Sequence, residues 1–394
     1  VVIDGEGVRN TWFIGSESAQ ESYVQVQGLV FRNSSECNVF LYHCDHFKFI
    51  RCASYEAGPG NAMCFSSDTA SCSYLLFEDC FAWGRGRYKF EVSAPYTVLR
   101  RCVARCDYHT APSGQDNWPQ AAFTFYSGQD CVAQNCIAID GLFTCDGYYQ
   151  YGFGAANGYF NIRYDGCISL NNAFQGCMFE TGGEQPCSGS MSHCVVWGSL
   201  RIGVQNEEQP DDRLTIDRCS IGETGLWGGL YGWGVGYDYI SVSNSIIYGH
   251  TNGGITEVLI SDYNCLYHNG ADFINGARNG SNNYCAANAN AIDPMDGHPG
   301  NGVAAVKYLP RIEEGSDLKG SGYGGADRGA VIVKRLGVSG TLRGEPGWDA
   351  VTGDDLWPFP NEEEIRTLMR PYALHGVNGR RGFCADQQTL SRYI

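Results

Sequence analysis

The chain has 394 residues and a formal charge of −16, from 43 acidic and 27 basic side chains, with 18% of its residues charged. That balance disfavours sequence-independent binding to nucleic acid, and no apolar run approaches the roughly 20 residues of a membrane-spanning helix. With 52 Gly, 24 Tyr, 19 Phe and 8 Trp against 5 Met, strands and turns are favoured and an extended helical bundle is excluded.

The chain opens on Val1-Val2-Ile3-Asp4-Gly5-Glu6-Gly7 with no leader ahead of it. The expectation is a removed export signal or residues upstream that are not represented. One phrase then recurs, an apolar strand running into Cys and a second small apolar pair. It reads Phe49-Ile50-Arg51-Cys52-Ala53, then Phe77-Glu78-Asp79-Cys80-Phe81, and returns around Cys102, Cys136, Cys167, Cys194 and Cys219. Gly28 is read at the same place one repeat earlier, Ser245 one repeat later, and Cys265 after that. The intervals from Gly28 are 24, 28, 22, 34, 31, 27, 25, 26 and 20 residues. Period-2 alternation within each phrase marks strands, and the period of the phrase marks a solenoid in which length adds coils. A propeller would need about 40–45 residues per repeat. The expected fold is all-β, a right-handed parallel β-helix over residues 1–335, with a C-terminal capping or wrapping segment over 336–394.

Nineteen cysteines admit two readings. Neighbouring coils lie about 4.8 Å apart, within the Cα range of a disulfide. Stacked thiols packing as small apolar groups are the equal alternative. Cysteine richness points to an extracellular or cell-surface protein.

The densest cationic run is Gly84-Arg85-Gly86-Arg87-Tyr88-Lys89-Phe90, followed by Arg100, Arg101, Arg105, Asp107 and His109. Alternation predicts Arg87 and Lys89 on one strand face, with Tyr88 and Phe90 on the other. Such a face beside Asp107 would suit an anionic sugar; solvation of an exposed strand is the plainer reading. Aromatic residues gather at Tyr148, Tyr149, Tyr151, Phe153 and Tyr159, and again at Trp227, Tyr231, Trp233, Tyr237 and Tyr239. They suit stacking on sugar rings or packing against a partner. Between them Glu207, Glu208, Asp211 and Asp212 form an acidic turn, a weak calcium candidate and otherwise a solvated loop. His43, His46, His193 and His250 share no metal-binding spacing, and two sequons begin at Asn33 and Asn279.

Beyond residue 336, Pro346, Pro358, Pro360 and Pro371 punctuate the chain. Asn361 followed by Glu362, Glu363 and Glu364 predicts a helix start, with Ile365, Leu368 and Met369 as its apolar stripe. A second short helix is expected after Asp386.

The repeats resemble those of bacterial right-handed parallel β-helix proteins, a superfold that includes pectate-lyase-like enzymes and many non-enzymatic surface proteins. Val2-Ile3-Asp4-Gly5-Glu6-Gly7 is similar to a first-coil phrase common there. Gly324-Gly325-Ala326-Asp327-Arg328-Gly329-Ala330 is similar to a phrase that often closes such helices. For the enzymes, the resemblance implies an exposed Lys or Arg as base and a Ca²⁺ held by carboxylates. Lys89 or Arg105 would then be the base, with Arg87 and Asp107 beside it.

Two functions are expected. The first is a non-catalytic extracellular structural or adhesive protein without a cofactor. It would self-associate end to end or flank to flank, as in a head-to-tail filament, or bind extracellular glycans. The alternative is a polyuronate lyase, with Ca²⁺, or a glycoside hydrolase acting along the groove. Neither nucleic acid nor a membrane span is expected, and superfold alone does not choose between the two.

Overall fold

The recurring cysteine phrase is a corner between two short strands. The computed structural model describes residues 1–15, 19–107, 120–142, 149–180, 187–208, 213–234, 240–258, 260–296, 303–369, 373–374 and 377–378. The residue ahead of each corner cysteine has left-handed backbone, as at Arg51 (φ +51°), Asp79 (+55°), Arg101 (+50°) and Asn135 (+52°). One such residue swings the chain out of one strand and into the next.

Two compact units are present, residues 1–156 with 334–394, and residues 157–333. Each is a stack of coils whose strands pair in parallel in three sheets, named front, flank and back in the order the coil visits them. In the first unit one coil runs through Met63–Ser67 (front), Leu76–Glu78 (flank) and Phe81–Trp83 (back). In the second, one coil runs through Ile202–Glu208, Arg213–Asp217 and Ser220–Gly222. The chain is nearly all β, as the repeat predicts, with one α-helix among the described residues, α1 (Glu362–Met369). No described helix is long and apolar enough to cross a membrane.

Like residues stack because each coil repeats the last. In the first unit Phe65, Phe90, Phe123 and Phe153 form one interior column with ring centroids 4.9, 5.1 and 4.9 Å apart. Phe49 and Phe77 stack at 5.1 Å and meet that column edge-on.

The seventeen described cysteines are all free thiols, sixteen of them buried. Their constant phase has a local cause. Past the left-handed corner, the next backbone N–H points along the stack and needs an acceptor that the strand ladders do not supply. The side chain of the following coil supplies it. Cys52 N–H donates to Cys80 Sγ at 3.4 Å, Cys102 to Cys136 Sγ at 3.4 Å, and Cys194 to Cys219 Sγ at 3.4 Å. Farther on, Cys219 N–H donates to Ser245 Oγ (3.0 Å), Ser245 to Asn264 Oδ1 (2.9 Å) and Asn264 to Asn283 Oδ1 (2.8 Å). The ladder therefore changes from Cys to Ser to Asn.

That register corrects two expectations. Cys265 pairs with Ile246, one place beyond Ser245, so Asn264 and not Cys265 holds the ladder position. Gly28 (φ +67°) takes the left-handed corner, and Leu29 stands where Cys52 stands one coil on. Burial pushes thiols such as Cys64 and Cys106 up to about 11 and Cys131 up to about 12, so they pack as inert apolar groups. Because Ser245 Oγ donates to Ser243 O as Cys219 Sγ does to Asp217 O, Cys219→Ser should cost no more than about 1 kcal/mol in thermal unfolding. A loss of several times that would mean the sulfur's bulk, and not its hydrogen bond, is required.

In the first unit, Lys334–Leu336 pairs antiparallel with Val351–Asp355, and the connection lies on the flank sheet. Leu342 packs against Leu76, Val98 and Val132. Arg100, fully buried, reaches the carbonyls of Val338 (3.0 Å) and Trp348 (2.8 Å). Helix α1 buries Ile365 and Met369, two of the three residues of its expected stripe. The second helix expected after Asp386 lies outside the described residues.

Candidate active site

The basic run of the first unit does not form an exposed face. Tyr88 pairs with Met63 and Phe90 with Phe65, which sets Lys89 beside Cys64 on the previous coil. Both Lys89 and Phe90 are fully buried, as are Cys64 and Phe65. Full burial of Lys89 beside Phe90 departs from the exposure that alternation predicts for it. Lys89 Nζ donates to Gly86 O at 2.7 Å. Arg105 and Asp107 form an ion pair at 2.8 Å, with side chains 0% and 1% exposed. Asp107 also accepts the Gly84 N–H at 2.9 Å, and Arg105 donates to Met369 O at 3.2 Å. Lys89, Arg105 and Asp107 thus brace a corner and cannot meet a dissolved polymer, which corrects their reading as an exposed base and its partner. Arg87 is half-buried, bonded to Asn61 Oδ1 at 2.8 Å and set over the Tyr88 ring. His109 lies outside the described residues.

Glu91, on the outward side of the same strand, is a strongly perturbed carboxyl of this unit. Burial pushes its carboxyl up to about 7, against hydrogen bonds from Ser66 Oγ (2.6 Å) and Ser93 Oγ (3.4 Å). Below its ordinary value of 4.5 the folded and unfolded chains both carry the proton. As pH rises from there to about 7 only the unfolded chain ionises, and stability falls by on the order of 3 kcal/mol. Glu91→Gln should therefore raise the melting temperature at pH 8 and leave it nearly unchanged at pH 4. An equal shift at both would contradict this.

In the second unit the front sheet presents a different outer face. Cys177, Val204, Leu230 and Ile255 are in register and fully buried, which defines the inward row. The next residues, Met178, Gln205, Tyr231 and Thr256, therefore lie on the opposite face, where Tyr231 is part-exposed and the other three are covered. Phe179 pairs with Asn206, turning both inward, so Glu180 and Glu207 stand side by side on adjacent coils, facing out. Both are part-exposed. Burial raises the Glu207 carboxyl to about 7, and the neighbouring Glu180 charge adds to it. Gln205 Nε2 donates to Glu207 Oε1 at 3.2 Å, and Gln175 Nε2 in turn donates to Gln205 Oε1. A chain of amides thus holds one carboxyl of the pair.

Aromatic rings lie at the start of the same strands. Arg201 sits 4.8 Å over Phe174 and 5.9 Å over Trp227, and Trp227 is 6.4 Å from Tyr231. Trp227 is 37% exposed. From Arg201 to Glu207 the strand spans about 20 Å, room for several sugar rings.

The remaining candidates divide. Trp233 is the backbone register partner of Glu207. Nothing of its side chain or that of Glu208 is described, and Tyr148, Tyr237, Tyr239, Asp211 and Asp212 lie outside the described residues. Tyr149 is 38% exposed, while Tyr151, Phe153 and Tyr159 are core residues. His250 is fully buried against Thr224 Oγ1 (2.6 Å), and burial lowers it to about 3, a structural histidine. Among the described residues no group of three or more His, Cys, Asp or Glu side chains is gathered as for a metal. Glu180, Gln175 and Gln205 are the residues sequence reasoning missed.

No protein-family model matches the chain, and no curated protein matches it. Among solved structures it is similar to a rhamnogalacturonan lyase, at 12% identity over 63% of this chain and 69% of that one, with a TM-score of 0.43. It is also similar to pectate lyase Pel9A, at 12% identity over 81% and 75%, with a TM-score of 0.39. A third is the catalytic unit of a GH87 alpha-1,3-glucanase from Streptomyces thermodiastaticus strain HF3-3, at 11% identity over 56% and 48%, with a TM-score of 0.37.

Proposed function

We propose that this chain hydrolyses glycosidic bonds of a polysaccharide on the front sheet of its second unit, with Glu207 as general acid and Glu180 as its carboxylate partner. The carrying observation is the pair itself. Two carboxyls on adjacent coils face out side by side, and burial, with the charge of the other, raises one of them to about 7. Glycoside hydrolysis needs that division, one carboxylic acid to protonate the leaving oxygen and one carboxylate to act as base or nucleophile. Trp227 and Tyr231 offer ring faces for sugars on the same strands. Elimination by a calcium-assisted base is the weaker reading, since Lys89 and Arg105 are buried. A purely structural or adhesive role asks nothing of the pair. Polymeric substrate fits an extracellular or cell-surface location.

Release of new reducing ends from a panel of neutral and acidic polysaccharides tests the reading. Cleavage of one of them by the wild-type chain, lost in Glu207→Gln, supports it. No cleavage of any, or cleavage unaffected by the substitution, returns the chain to a non-catalytic role or another site.

A further inference from the structure

We propose that a cleft on the flank side of the second unit, centred on Arg218, binds a carboxylated sugar unit apart from the carboxyl pair. The cleft holds about 590 Å³ and is lined by Thr215, Asp217, Arg218, Ser243, Asn244 and Tyr323, with the turn that follows Tyr323. That volume is within the range of about 300–1,000 Å³ usual for small-molecule sites.

The walls are built and held. Asn244 occupies a left-handed corner (φ +49°) and clamps the turn: its Oδ1 accepts the Tyr323 N–H at 2.7 Å and its carbonyl accepts the Gly329 N–H at 2.8 Å. A side chain at Gly322 would lie 2.6 Å from Asn244 Oδ1, so the turn closes only with glycine there. The clamp throws Tyr323 outward, 70% exposed, as one wall. On the other side Asp217 accepts from Asn244 Nδ2 (2.7 Å), Ser243 Oγ (3.0 Å) and Arg218 Nε (2.7 Å). Although burial opposes it, these bonds hold Asp217 below the usual carboxylate range, so it stays charged and fixes the guanidinium by one edge.

The Arg218 side chain is 40% exposed, and its terminal nitrogens bond no described residue. A planar guanidinium fixed at Nε presents its remaining donors as a fork that matches a carboxylate. Tyr323 adds a ring that can stack on a sugar. One outward row of the flank sheet, Ser190–Thr215–Ser241, is in register and sets hydroxyls about 4.8 Å apart for sugar hydroxyls. Cation, ring face and hydroxyl row together select an acidic sugar over a bare anion, which would use Arg218 alone.

The test is calorimetric titration of Glu207→Gln protein, so that any turnover is slowed at least about a hundredfold and the result does not depend on the hydrolase reading. The probes are trigalacturonate, its carboxyl-reduced neutral counterpart and inorganic phosphate. Trigalacturonate should bind at least about tenfold more tightly than the neutral sugar, and more weakly as salt rises. Arg218→Ala should remove that difference, Arg218→Lys should keep part of it, and Tyr323→Ala should weaken both sugars. Equal binding of the two sugars, an unchanged affinity in correctly folded Arg218→Ala, or phosphate binding as tightly as trigalacturonate would overturn the proposal.

Discussion

Glu207→Gln is expected to lower the rate of polysaccharide cleavage by about a hundred- to ten-thousandfold, because the amide can hold the same hydrogen bond from Gln205 but has no proton to give. The wild-type rate should fall as pH rises through about 7, where Glu207 loses its proton. Glu180→Gln should also lower the rate, through loss of the second carboxylate. It carries a further signature. Removing the like charge beside Glu207 lowers that carboxyl's affinity for its proton, so the alkaline limb should move to lower pH. Residual activity in Glu180→Gln with an unmoved limb would show that the two groups do not act as a pair. Folding is not at risk in either variant, since both side chains are part-exposed on the outer face.

Glu78→Ala is expected to cost about 3–5 kcal/mol of stability and to loosen the C-terminal segment of the first unit. Glu78 lies between two buried arginines, 2.9 Å from Arg100 and 3.0 Å from Arg101, whose side chains are 0% and 1% exposed. Arg101 keeps Asp79 at 2.7 Å, but Arg100 would keep only neutral partners, Gln134 and the carbonyls of the segment that covers it. Glu78 also accepts the Gly340 N–H at 3.0 Å, so the segment loses a direct tie. Thermal unfolding together with limited proteolysis checks both parts. The expected result is a lowered melting temperature with new cleavage within residues 334–369. Glu78→Gln, which keeps the shape and one acceptor, should lie between the two. A variant as stable and protease-resistant as the wild type would show that the buried arginines are solvated by backbone carbonyls alone.

Much of the fold was legible because coil geometry forces a repeating chemical need. At corner after corner an N–H meets a Cys, Ser or Asn side chain of the next coil, as at 52, 102, 194, 219, 245 and 264, and the cysteines mark those corners. Reading sulfur and not the acceptor role misplaced Cys265, because the ladder had already passed to Ser245 and Asn264. Alternation misplaced Lys89 because it says which residues share a face and not whether that face is covered, and Lys89 is fully buried. The acidic residue Glu207 was visible, but only as part of a charged turn. Its partner was readable in principle, since Glu180 and Glu207 are 27 residues apart, as are Cys167 and Cys194. A coil-length spacing between two carboxylates places them side by side. What spacing does not carry is burial, and burial is what raises the Glu207 carboxyl to about 7.

The most direct measurement is mass analysis of the products formed in heavy-oxygen water from the polysaccharide that the chain cleaves. Hydrolysis by the Glu180–Glu207 pair predicts one heavy oxygen per cleavage, carried at the new reducing end, and no unsaturated sugar. Unsaturated ends without the label would show elimination instead and contradict the assignment of the carboxyl pair.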